Sequence, residues 1–133
     1  MTITKVRVYG FQLDMYGHVN NARYLEFLET ARWEFIERKM TLSDLEKLGI
    51  AFVVVNININ YRRPAFLGQE LEIHSAMTQI SGKSAHMHQK IYQSDTQKLI
   101  VDADIKFVII DNNTQKVVPI TGKYRDIIEI FKS

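Results

Sequence analysis

Through residues 3–11, apolar side chains (Ile3, Val6, Val8 and Phe11) are interleaved with polar ones, which predicts a strand ending near Gln12. The period then changes. Tyr24, Phe27, Leu28, Ala31 and Phe35 recur at spacings of three, four, three and four, the stripe of an amphipathic helix. Glu34 and Arg38 sit four apart with the acid first, the favourable order for an ion pair on the wet side of that helix. The segment SDLEKLG predicts a shorter helical piece, opened by Ser43 and closed by Gly49.

AFVVVNININYRRPA is then a long strand. Simple alternation sends Val53, Val55, Ile57, Ile59 and Tyr61 to one face and Asn56, Asn58 and Asn60 to the other, until Pro64 stops it. Three more strands are predicted at about residues 69–80, 84–94 and 98–111. The short ISGKSA and DTQK links make them successive hairpins, hence antiparallel. An amphipathic helix follows from Thr121. Strand, helix, then four strands define an α+β class: one domain over residues 1–133, with a single long helix available to cover a sheet. Residues 51–61 hold no charge, Pro or Gly, so exposed at a sheet edge they would template aggregation. Either this strand is central or something covers it, and a two-fold copy would extend the sheet across a dimer.

Composition narrows the chemistry. The 133 residues are 46% apolar and 24% charged, ordinary for a folded domain. A net charge of +2, with no Lys/Arg run beyond Arg62-Arg63, gives no footprint for nucleic acid. The absence of cysteine excludes disulfides, thiolate nucleophiles and Cys-ligated metals. The N-terminus lacks a signal-peptide h-region and no apolar run is long enough for a membrane span, so a cytoplasmic address is expected.

LDMYGHVNN, residues 13–21, leads into the long helix. A helix N-terminus carries unpaired N–H groups and a partial positive charge, able to hold an anion or a developing oxyanion. Asn20 and Asn21 are good caps and Gly17 permits a tight turn. Asp14 lies upstream, on a loop that could fold back over the helix end. An acid beside N–H donors is the minimum equipment for hydrolysing an activated acyl group. Taken alone, an Asp near a helix start is more often a cap or a dipole partner, and His18 could simply bond a loop carbonyl.

The run DMYGHVNNARYLEFLETAR, with IAFVVVNININYRRPA and SGKSA further on, resembles the hot-dog fold acyl-CoA thioesterases of the 4-hydroxybenzoyl-CoA thioesterase-like family, and among them the long-chain acyl-CoA members. The resemblance spans nearly the whole chain. It implies a five-stranded antiparallel sheet wrapped round the long helix, with second strands joined across a homodimer and such dimers commonly paired into a homotetramer. It places the family's acid on Asp14 and its oxyanion donor on the backbone amide of Asn21, where several members carry His or Tyr. Tyr24 matches an aromatic that packs near the thioester. The implied substrate is acyl-CoA, with no cofactor and no metal. The same family likeness leaves open an acyl carrier protein or aryl-CoA thioesterase, and an acyl-CoA-binding sensor without catalysis. Hot-dog dehydratases rely on a His–acid pair on the helix, whereas His18 lies ahead of the helix with no acid at matching spacing.

Other features carry less. GKS at residues 82–84 fails as a phosphate loop because Met77 stands where a glycine is needed. In a thioesterase Lys83 and Ser84 could touch CoA phosphates, as could Arg62 and Arg63, while solvated turn and strand-end side chains explain them equally well. His86 and His88 share a strand face, but no third metal ligand is evident. Asp102 and Asp104 share a face with Lys106, as a solvated or interface surface would.

Overall fold

The long helix forms where its stripe predicts it. In the computed structural model, which describes residues 1–132, α1 spans Asn21–Glu37 and buries Tyr24, Phe27, Leu28, Ala31 and Phe35. The Asn20 side chain starts it by accepting the Ala22 N–H at 2.9 Å. Glu34 and Arg38 meet at 2.9 Å on its exposed side. Each large side chain of the stripe contributes about 1.5–3 kcal/mol by leaving water.

That stripe lies against the inner face of an antiparallel sheet. Its strands are β1 (Thr2–Arg7), β2 (Ile50–Tyr61), β3 (Glu70–Ser81), β4 (Ser84–Gln93) and β5 (Leu99–Asp111), in spatial order β1-β3-β4-β5-β2. Leu71, Ile73, Met87, Ile91, Ile105 and Ile109 supply much of the sheet side of the core. Gln89 is the largest of the buried polar residues, lying under α1 with Ser75 beside it. Its amide donates to the Leu28 carbonyl and to the Ser75 hydroxyl, both at 3.0 Å, and accepts from Arg32 at 3.2 Å.

Four details differ from the pattern reading. The first strand ends at Arg7; Gly10–Gln12 winds into a 3-10 turn, and Phe11 stands exposed instead of facing the core. The short helix α2 (Leu42–Leu48) is capped by Thr41, not Ser43, because Thr41 and Asp44 exchange hydrogen bonds in a capping box. A sixth strand, β6 (Lys116–Val118), pairs with the end of β5. Finally, β2 is bulged: Val54 opposes Phe107 and Asn56 opposes Lys106, which leaves Val55 surplus. The surplus residue inverts the alternation. Ile57 and Ile59 lie opposite the buried Ile105 and Ala103, whereas before the bulge Phe52 and Val54 lie opposite the buried Ile109 and Phe107, so Val53 does not share the face of Ile57 and Ile59.

Helix α3 (Lys123–Ile130) buries Ile127 and Ile128, and Phe131 just beyond it stacks 6.0 Å from Phe35. The uncharged strand is not central. It forms one edge of the sheet, with Val53, Val54 and Val55 exposed. No helix among the described residues is long and apolar enough to cross a membrane.

Candidate active site

Residues 12–20 form a tight hairpin whose second limb becomes α1. Leu13 and Val19 pair as an antiparallel bridge, the Asp14 N–H donates to the His18 carbonyl at 2.7 Å, and the Asn20 N–H donates to the Gln12 carbonyl at 2.9 Å. Gly17 turns the chain at φ +79, a left-handed conformation that a side chain would strain. Asp14 Oδ1 accepts the N–H groups of Tyr16 (2.9 Å) and His18 (3.2 Å), so the loop itself fixes the carboxylate. Oδ2 has no bond among the described residues.

The helix mouth is equally defined. The Asn20 side chain is engaged with the Ala22 N–H, and the Asn20 carbonyl accepts from Arg23 at 2.8 Å. The Asn21 N–H, first of the helix, has no acceptor among the described residues. The first turn of α1 carries no acidic residue. Asp14 lies on the opposite limb of the hairpin, paired through Leu13–Val19 to the limb that enters the helix.

Tyr24 ties the mouth to the chain beyond β2. Its buried hydroxyl accepts the Ala65 N–H at 3.1 Å, and the Val19 N–H donates to the Ala65 carbonyl at 2.9 Å. Burial raises the Tyr24 phenol above its ordinary pKa, the Ala65 N–H pulls it back in part, and the nearby charge of Asp14 adds to the rise. Asp14 thus lies within electrostatic reach of the first turn of α1. Tyr61 closes the group, its hydroxyl donating to the Asn21 carbonyl at 3.3 Å. The His18 ring meets Phe66 edge-on at 5.1 Å.

The structure therefore brings Asp14, His18, Asn21 and Tyr24 together. Arg62 and Arg63 follow Tyr61 at the same end of the sheet; both N–H groups donate to the Ile100 carbonyl, and Arg62 pairs with Asp102 at 3.6 Å. Within one chain Lys83 and Ser84 lie apart from this group. They form the β3–β4 turn, roughly 35 Å along β3 from the end that borders the hairpin loop. His88 lies on the outer sheet face, its ring nitrogens each 2.7 Å from a carboxylate oxygen, of Asp102 and of Asp104.

The family likeness implies an apolar tunnel beside the long helix, without naming its lining; a groove of about 600 Å³ lies between the second half of α1, α2, the first half of β2 and α3. Trp33, Ile36, Leu45, Phe52, Val54 and Met77 make its wall largely apolar. Arg32 borders it, and burial lowers the pKa of that guanidinium. Within one chain the groove does not include Asp14. The only sequence trace of it is the apolar surplus at Trp33 and Val54, positions that neighbours in the same element leave partly exposed.

A fixed acid, an unoccupied helix-end amide and a hot-dog sheet define a class: the chain belongs to the thioesterase-like superfamily, whose family model matches residues 10–127. Within it, the chain is 48% identical over 126 residues to the long-chain acyl-CoA thioesterase FadM of Escherichia coli, covering 95% of this chain and 96% of that one. It is 33% identical over 107 residues to the acyl-CoA thioester hydrolase YbgC of Shigella flexneri, covering 80% and 79% respectively. Its fold matches the crystal structure of YbaW, a probable thioesterase from Escherichia coli, with a TM-score of 0.93 and 46% identity over the full length of both chains.

Proposed function

We propose that this protein hydrolyses long-chain fatty acyl-CoA thioesters to free fatty acid and CoA in the cytoplasm. The observation that supports the reading is the Asp14 carboxylate, held through one oxygen by two backbone N–H groups in the hairpin that leads into a helix start with a free amide. The thioester carbonyl oxygen accepts from the Asn21 N–H. Asp14 Oδ2 either takes the proton of an attacking water or bonds to the carbonyl carbon to give a mixed anhydride that water then cleaves. In both routes the tetrahedral oxyanion collapses with loss of the C–S bond, and the departing thiolate becomes CoA thiol by taking the proton from Asp14 in the first route and from water in the second.

The groove explains the acyl chain once the edge strand is paired. A two-fold, antiparallel β2–β2 pairing sets the first half of one β2 beside the second half of its partner's. The first half walls the groove, and the second ends at Tyr61, against the helix mouth. The acyl chain then runs from Asp14 of one protomer into the apolar groove of the other, and the working unit is a homodimer or a homotetramer built from it.

Thiol release measured across acyl-CoA lengths, aryl-CoA and acyl carrier protein conjugates tests the reading. Turnover should peak on long-chain acyl-CoA, and Asp14→Asn should lower it by on the order of 10²–10⁴. Background rates on every substrate would overturn the enzymatic reading, and wild-type turnover by Asp14→Asn would remove Asp14 from the chemistry.

A further inference from the structure

We infer that Arg32 is a polar anchor inside the acyl groove. The preferred acyl chain carries a hydroxyl or keto oxygen on the stretch that passes it; this rests on the thioesterase reading above and names a substrate class within it.

The groove is not uniformly apolar. Among neighbours such as Trp33, Ile36, Leu45, Phe52 and Met87, its lining holds a single cation, the Arg32 guanidinium. That group is fixed from below. Arg32 Nη1 donates to the Gln89 amide oxygen at 3.2 Å, and the Gln89 NH₂ is in turn committed to the Leu28 carbonyl and the Ser75 hydroxyl. Gln89 and Ser75 are fully buried, so the support belongs to the core. The remaining guanidinium N–H groups have no acceptor among the described residues, and no carboxylate there stands within ion-pair distance. Burial holds the Arg32 pKa below its ordinary value, and the charge of Glu29, one turn earlier, opposes that shift.

An alkyl chain laid along this wall strips water from the guanidinium and returns nothing. Buried donors without acceptors cost free energy, and charged donors cost more than neutral ones. A groove for plain hydrocarbon has no use for a cation held in place by the core. An oxygen on the chain restores the lost bond, and bonds from a charged donor are among the stronger ones. Glu29 and Glu46 also border the groove, so a carboxylate on the chain would meet two like charges. A neutral acceptor meets none. Arg32 stands about 16 Å along α1 from Asn21, at roughly 1.5 Å per residue. The groove does not include Asp14, so the oxygen belongs to the distal part of the chain, away from the carbons beside the thioester.

The test compares hexadecanoyl-CoA with hydroxyhexadecanoyl-CoA isomers whose hydroxyl is stepped from mid-chain to the end. Its readout is the ratio of kcat/KM, hydroxylated over plain, within one preparation, so that any loss of folded protein cancels. The wild type should favour at least one isomer about tenfold, and Arg32→Met should bring that ratio to within about twofold of unity. A wild-type ratio at or below one for every isomer overturns the inference without any variant. A preference that survives in Arg32→Met also overturns it, since another group then reads the oxygen. Absence of cleavage on all of these thioesters would overturn the thioesterase reading instead. Calorimetric titration with free hydroxyhexadecanoic and hexadecanoic acids then decides the anchor. Binding of a hydroxy acid about tenfold tighter by the wild type, with the difference lost in Arg32→Met, supports it; equal affinities overturn it.

Discussion

Asn21 separates side-chain from backbone roles within one residue. The proposed oxyanion donor is its N–H, so Asn21→Ala should turn over substrate within a few-fold of the wild type. Asn21→Pro deletes the donor at the one helical position where proline fits, and Asn20 already has the extended backbone that a following proline requires. Its kcat should fall by about 10²–10³, the usual loss for one oxyanion donor, with the melting temperature held near the wild-type value. Steady-state kinetics beside a thermal melt check both halves. This part of the site was legible in the sequence because LDMYGHVNN is contiguous: cap, turn and acid lie within nine residues. The lining of the apolar groove was not, since it comes from α1, α2, β2 and α3, which only the tertiary fold brings together.

Among the elements, α1 was the easiest to read and β2 the hardest. A helix stripe depends on one chain's own period, and all five predicted positions are buried. A bulge depends on how many residues the neighbouring strand supplies, which no local pattern contains, and so Val53 was grouped with Ile57 and Ile59 although the bulge puts it on the other face. Thr41 was passed over for Ser43 because either hydroxyl can cap; the reciprocal bond from Asp44 decides between them. Helix and sheet are joined beneath α1 by Gln89, a residue whose polarity argues against the burial it has. Gln89→Ala strands the Ser75 hydroxyl and removes the acceptor of the half-buried Arg32. Chemical denaturation should show a loss of about 1–3 kcal/mol.

For the molecule as a whole, acid and groove lie at opposite ends of β2, so under the proposed β2–β2 pairing each chain would carry two halves of a site that the pair completes. Val53→Lys with Val55→Lys places two charges on the exposed edge. Light scattering should show the mass halved, and long-chain turnover should fall by well over tenfold even though Asp14 is untouched. Met77→Trp, which fills part of the groove, should shift preference to shorter acyl chains and cost about tenfold in kcat/KM on the longest, as measured across the length series. Equal rates at all lengths would place the chain elsewhere.

The bulge at Val55 has a consequence for how two such edges can meet. A uniform run of valines and asparagines could slide by two residues along its twin and still match side chain to side chain. A strand that changes phase halfway cannot: any slip sets an inward-facing stretch of one copy against an outward-facing stretch of the other. In the proposed β2–β2 pairing the extra residue would act as a notch, permitting one alignment of an otherwise repetitive edge.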